Sequence, residues 1–234
     1  MSGTIPSIIG NLAKLTTLRL LSNKLGGYIP IEMNMINNLE SLQLYDNNLV
    51  GHLPHNICFS GKLTKFSAGI NYFTGPLPKS LKYCSNLIRV SVQKKKNLIE
   101  NLTEDLGVYP NLDYIDLSEN NFYGHLSPNW EKCHNLTSLK ISNNNLSGSI
   151  PTELSQATNL HILQLSSNHL TRDIFEDLGN LTYLIKLFLN INNLSKNVPK
   201  KIESLQSLDT LELKANNFSG SIPNQLDNLV NLLI

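Results

Sequence analysis

Charge is scarce in this sequence and neither sign prevails: 16% of its 234 residues are charged, and the formal net charge is +1. Nucleic acids and anionic membranes select chains with a basic excess, so this balance points to neither. No uninterrupted apolar run reaches the roughly 18 residues of a membrane-spanning helix. The residues after Met1 lead at once into Ser2-Gly3-Thr4-Ile5-Pro6, with no secretory leader visible. The six histidines, His52, His55, His125, His134, His161 and His169, have no cysteine or carboxylate set at ligand spacing, so no metal site is expected. Neither a phosphate loop nor a nucleophile elbow occurs, so no enzyme and no cofactor are expected.

What the chain has in abundance is asparagine on a fixed beat. Asn23, Asn47 and Asn71, then Asn120, Asn144, Asn168, Asn192 and Asn216 recur at 24 residues, except that the irregular fourth coil, between Asn71 and Asn120, has a beat of 25. The frame around each reads L-x-x-L-x-L-x-x-N-x-L-x-G-x-I-P, most completely at Leu136, Leu139, Ile141, Asn144, Leu146, Gly148, Ile150 and Pro151. A repeat of this length means a solenoid, and it takes precedence over local secondary-structure propensity. The alternation at Leu18 and Leu20, Leu42 and Leu44, Ile115 and Leu117, Leu211 and Leu213 is that of a short strand. Stacked coils would unite these strands in one parallel sheet. A lone coil buries too little to fold, so stability is a property of neighbours.

The ladder asparagine ends each strand where the chain turns, and its amide can both donate to and accept from backbone groups that would otherwise be buried unpaired. Gly27, Gly51, Gly75, Gly124, Gly148 and Gly220 suit a position of close approach or positive φ, and Pro30, Pro54, Pro78, Pro151, Pro199 and Pro223 close each segment. Both ends of the sequence fall within repeats. This predicts one solenoid domain over 1–234, about nine full coils with partial coils outside them. Leu12, Leu15 and Leu18 at one end and Leu208, Leu229 and Leu232 at the other are expected to be exposed, with poor solubility as the consequence.

The Gly-x-Ile-Pro half of the frame, as in Ile141-Ser142-Asn143-Asn144-Asn145-Leu146-Ser147-Gly148-Ser149-Ile150-Pro151, resembles the plant-specific leucine-rich repeat of receptor-like kinases and receptor-like proteins. The resemblance covers essentially the whole chain. It implies an α/β solenoid, a right-handed superhelix with its parallel sheet on the concave face, displayed outside the cell at the plasma membrane or wall. It further implies binding of a secreted peptide or protein ligand, with a possible co-receptor kinase. No nucleic-acid partner and no direct membrane contact are expected. Two other readings are a soluble inhibitor of a microbial wall-degrading enzyme and a truncated remnant without activity. The pattern departs from the family at coil four, where Lys95 or Lys96 stands for the asparagine and Glu100 for the glycine, and in coils seven and eight, where Arg172 and Lys196 replace glycine.

Outward strand positions are expected to be free of packing duty. Their central column runs Arg19, Gln43, Ser67, Ser91, Asp116, Lys140, Gln164, Phe188 and Glu212, with a second from Leu21 and Tyr45 to Lys214. Tyr114, Asp116, Lys140, Gln164 and Phe188, with His161 at the edge, mix aromatic, charged and amide groups in a manner suited to an extended peptide. The plainer expectation is a solvated face with Asp116 and Lys140 paired across coils. Lys65, Arg89, Lys94, Lys95 and Lys96 form a basic cluster that is either a site for a carboxylate or sulfate or a solvated bulge.

Six sequons begin at Asn101, Asn135, Asn145, Asn180, Asn193 and Asn217, and glycosylation of some is expected in a secreted chain. Cys84 and Cys133 sit where other coils have Leu12 and Ile36, which suits a buried small apolar side chain. Cys58 and Cys84 are 26 residues apart, close to one coil, so a disulfide between neighbouring rungs is the other possibility.

Overall fold

The computed structural model describes residues 1–93 and 98–232. Each repeat contributes one three-residue strand to a parallel sheet: β1 Thr17–Arg19, β2 Ser41–Gln43, β3 Lys65–Ser67, β4 Arg89–Ser91, β5 Tyr114–Asp116, β6 Ser138–Lys140, β7 Ile162–Gln164, β8 Lys186–Phe188 and β9 Thr210–Glu212. The nine strands lie in sequence order, each paired with its predecessor. Register is strict: Leu42 faces Phe66, Val90 faces Ile115, and Leu139 faces Leu163. The apolar middle residue of every strand therefore stacks on the one before, and all but Leu18 and Leu211 at the two ends are buried.

Behind the sheet the returning arms form single turns of 3-10 helix, among them Ile31–Met35, Thr152–Gln156 and Glu176–Asn180. Most follow a proline in extended conformation, which ends one segment and starts the next turn without needing an N–H donor. A lateral sheet of Ser2–Gly3, Lys24–Tyr28, Asn48–Gly51 and Tyr72–Phe73 runs along the flank of the first coils. A second lateral sheet resumes at Tyr123–His125 and runs to Asn217–Phe218. Between them lies the irregular coil, which carries the short α-helix Leu102–Asp105, capped by the Asn101 side chain accepting from Thr103 N–H at 3.1 Å. Among the described residues no helix is long and apolar enough to cross a membrane.

The ladder asparagines bind neighbouring coils to one another. Asn168 Oδ1 accepts from Leu146 N–H at 3.1 Å, while Nδ2 donates to the carbonyl of Leu165 in its own coil and to that of Ile141 in the coil before. Asn47, Asn71, Asn144 and Asn192 repeat these contacts. The turn they close requires a left-handed residue immediately before each asparagine. Ser22, Asp46, Ile70, Glu119, Asn143, Ser167, Ile191 and Ala215 take that conformation, φ from 50° to 60°.

Glycine serves a different position. Gly51 and Gly148 have φ of 81° and 78°, whereas Arg172 and Lys196 hold the equivalent place at 68° and 61° despite their side chains. Gly220 lacks positive φ; its need for glycine is contact, because a Cβ there would collide with Asn197. Two expectations about the ends require correction. Leu208 and Leu229 are buried, because the Asn224–Asn228 turn packs over the last complete coil. Leu12 is exposed, whereas Leu15 and Leu18 are partly covered against the core.

Candidate ligand-binding face

On each strand of the nine-stranded sheet the first and third residues point away from the core. The first positions form a column in register, Lys65, Arg89, Tyr114, Ser138, Ile162 and Lys186, and the third positions a parallel one, Ser67, Ser91, Asp116, Lys140, Gln164 and Phe188. Tyr114 is the centre of the face. The Arg89 guanidinium lies 3.7 Å from the centroid of its ring, and the Lys140 ammonium is 5.5 Å from the same centroid. Two cations thus attend one aromatic ring, a geometry in which the ring's negative face attracts each.

The Tyr114 hydroxyl donates to Asp116 Oδ2 at 3.2 Å, and Asp116 Oδ1 accepts from Ser118 N–H at 3.0 Å. Burial, followed by the Asp116 charge, pushes the Tyr114 phenol up to about 12, although Arg89 works in the opposite direction. Asp116 is only 8% exposed, so this outward position is not free of packing duty. Nor does Asp116 form an ion pair with Lys140 among the described residues: the carboxylate is held within its own coil, and the ammonium leans toward the ring instead.

Gln164 and Phe188 stand half-buried on the same face, and His161 lies at its edge with its ring 6.2 Å from that of Tyr183. The structure brings Tyr114, Lys140 and His161 around one shallow hollow of about 460 Å³, with Ser138 at its floor and Ile162 and Lys186 beyond. Ser138, Ile162 and Lys186 lie outside the set expected from the sequence. The signal that marks them is the same two-residue alternation, one outward position earlier on each strand. Lys65 and Arg89 are exposed neighbours on β3 and β4. Lys94, Lys95 and Lys96, expected to join them, fall outside the described residues.

Sequence models described as leucine-rich repeat match residues 110–170, 38–60 and 207–229. Among solved structures, a plant peptide hormone receptor, RGFR1 in complex with RGF2, is 33% identical with a TM-score of 0.89, over 99% of this chain and 37% of that one. This chain belongs to the leucine-rich-repeat proteins. The Arabidopsis receptor kinase HAESA, in complex with the peptide hormone IDA and the co-receptor SERK1, is 30% identical with a TM-score of 0.90, over 99% of this chain and 39% of that chain. A plant ice-binding protein is 26% identical with a TM-score of 0.76, over 95% of this chain and 71% of that one. No curated protein matches significantly. This leucine-rich-repeat chain thus spans well under half the length of the two receptors, and its scaffold also occurs in a protein of unlike function, so function must be argued from the site.

Elsewhere on this leucine-rich-repeat solenoid, Cys58 and Cys84 form a disulfide, with their Cα atoms 5.8 Å apart. Cys133 is a free, buried thiol whose pKa burial raises. The sequon asparagines Asn135, Asn145, Asn193 and Asn217 are exposed, whereas Asn101 and Asn180 are half-buried. None of the six lies on the nine-stranded sheet.

Proposed function

We propose that this chain is the ligand-binding part of an extracellular plant receptor-type ectodomain, and that an extended peptide lies on the nine-stranded face across Tyr114. The observation that carries this reading is the Arg89, Tyr114 and Lys140 arrangement, in which two cations and an aromatic ring are presented together on a rigid sheet. Preformed aromatic and guanidinium groups anchor interfaces at low entropic cost. The six sequons lie off this sheet, so glycans added there would leave it open. Likeness to two receptors whose ligands are peptide hormones supports the same reading.

We further propose display at the cell surface, a co-receptor kinase as second partner, and binding rather than catalysis as the activity. The test is a peptide-library screen against the 234-residue chain, followed by affinity measurements on variants of the face. Lys140→Ala and Phe188→Ala are expected to weaken binding at least tenfold with unchanged thermal melting, and Asp116→Ala, which releases the Tyr114 hydroxyl and Ser118 N–H, to weaken it with some loss of stability. Unaltered affinity in all three would remove this face as the site.

A further inference from the structure

The make-up of the hollow beside Tyr114 selects among peptides. Along the first outward column cations stand at both ends, Arg89 on one side and Lys186 on the other, and the middle is Tyr114, Ser138 and Ile162. Ser138 has the smallest side chain of that middle, and the hollow of about 460 Å³ opens above it, with Ile162 and Ile185 as apolar walls. The Ser138 hydroxyl is buried and has no hydrogen-bond partner in the protein, an unusual state for a buried polar atom.

Charge on the face is one-sided. Lys65, Arg89, Lys140 and Lys186 occupy outward positions from β3 to β8, where the sole carboxylate is Asp116. Asp116 is engaged by Tyr114 and Ser118, and among the described residues none of the four cations forms an ion pair. Cations left unpaired around an apolar hollow complement a ligand that is acidic on either side of an apolar group.

Spacing then sets the pattern. Adjacent strands stand about 4.8 Å apart, so Arg89 and Lys186, each two strands from Ser138, lie about 10 Å from it along the column. An extended peptide advances about 3.3 Å per residue and covers that distance in about three residues. Resting on the peptide-binding reading above, we propose that the face selects an extended peptide whose apolar side chain sits over Ser138, with carboxylates three residues before and three residues after it.

The test uses the 234-residue chain and immobilised eleven-residue peptides with a central leucine, glutamate at the third position on each side, and serine or threonine elsewhere. Controls carry glutamine for both glutamates, or glycine for the leucine, and an unbiased library is screened in parallel. The patterned peptide is expected to bind at least tenfold more tightly than either control and to weaken as salt is raised. Ser138→Phe, which fills the hollow, should abolish that binding. The exposed-side charge reversals Arg89→Glu and Lys186→Glu should each remove the preference for glutamate at one end, and they serve if Ser138→Phe fails to fold. Controls that bind as well as the patterned peptide would overturn the proposal. Library binders without the pattern, indifferent to all three variants, would overturn it while leaving peptide binding intact. A chain that binds no peptide of any kind would overturn both.

Discussion

The guanidinium of Arg89 lies over the ring of Tyr114 at 3.7 Å, one strand away in the same column, while Asp116 accepts the hydroxyl of that ring from its other end. A cation and an anion therefore act on one phenol with opposite sign. Burial is the first cause of its rise to about 12, the Asp116 charge the second, and Arg89 restrains it. Arg89→Ala should raise the pKa of Tyr114 still further, and Asp116→Asn should lower it. NMR titration of ring-labelled tyrosine resolves this one among eight. Shifts of the same direction in both variants would show that the two charges do not act as stated.

Tyr109 is fully enclosed, donating to the Leu81 carbonyl at 3.2 Å and accepting from Gly107 N–H at 3.0 Å. Burial pushes its phenol up to about 12. The unfolded chain loses this proton near pH 10, so the folded state keeps its advantage below pH 10 and loses it between pH 10 and 12. The loss is on the order of 2–3 kcal/mol. Denaturant melts at pH 8, 10 and 11 should show it, and Tyr109→Phe should flatten the decline while costing about 1–2 kcal/mol at neutral pH for the two unpaired backbone groups.

Asn168→Ala removes an acceptor for Leu146 N–H and a donor to the Ile141 and Leu165 carbonyls, all buried. A cost of about 2–4 kcal/mol is expected, since a buried polar group left alone loses about 1–3 kcal/mol. Asn216→Ala, at a half-exposed rung, should cost less than half as much, because water can replace the amide there. Equal destabilisation of the two in urea would show that burial of the rung is not what matters.

Ile191 holds a left-handed φ of 57° with a branched side chain that is half exposed, whereas Asn143 occupies the equivalent place at 56°. Asparagine tolerates this region and isoleucine is strained in it. Ile191→Asn should stabilise the chain by about 1 kcal/mol. An unchanged or lower melting temperature would contradict this.

The Cys58–Cys84 bridge closes a segment with a sequence separation of 26. Loop entropy of that length corresponds to about 3.5 kcal/mol, the loss expected for the double variant Cys58→Ser with Cys84→Ser. Cys133 is buried and its thiol is raised by burial, so a thiol reagent should count one group in denaturant and none in the native chain.

Much of this protein is set by sequence alone. The 24-residue beat, the strand triplets, the covering of Leu139 or Leu163 and the bonding capacity of the ladder asparagines all follow from period and side-chain type, because a solenoid repeats one local solution and each coil meets only its neighbours. Tertiary structure decided what a single coil does not contain. The left-handed strain at Ile70 and Ile191 arises from a turn shared between rungs, and no local preference of isoleucine announces it. Whether Asp116 meets Lys140 or Tyr114 depended on side-chain reach across strands in fixed register, and the hollow over Ser138 exists only because larger neighbours stand on either side. Periodic burial is a local, additive property that spacing encodes, whereas a binding surface is a relation among side chains from several coils.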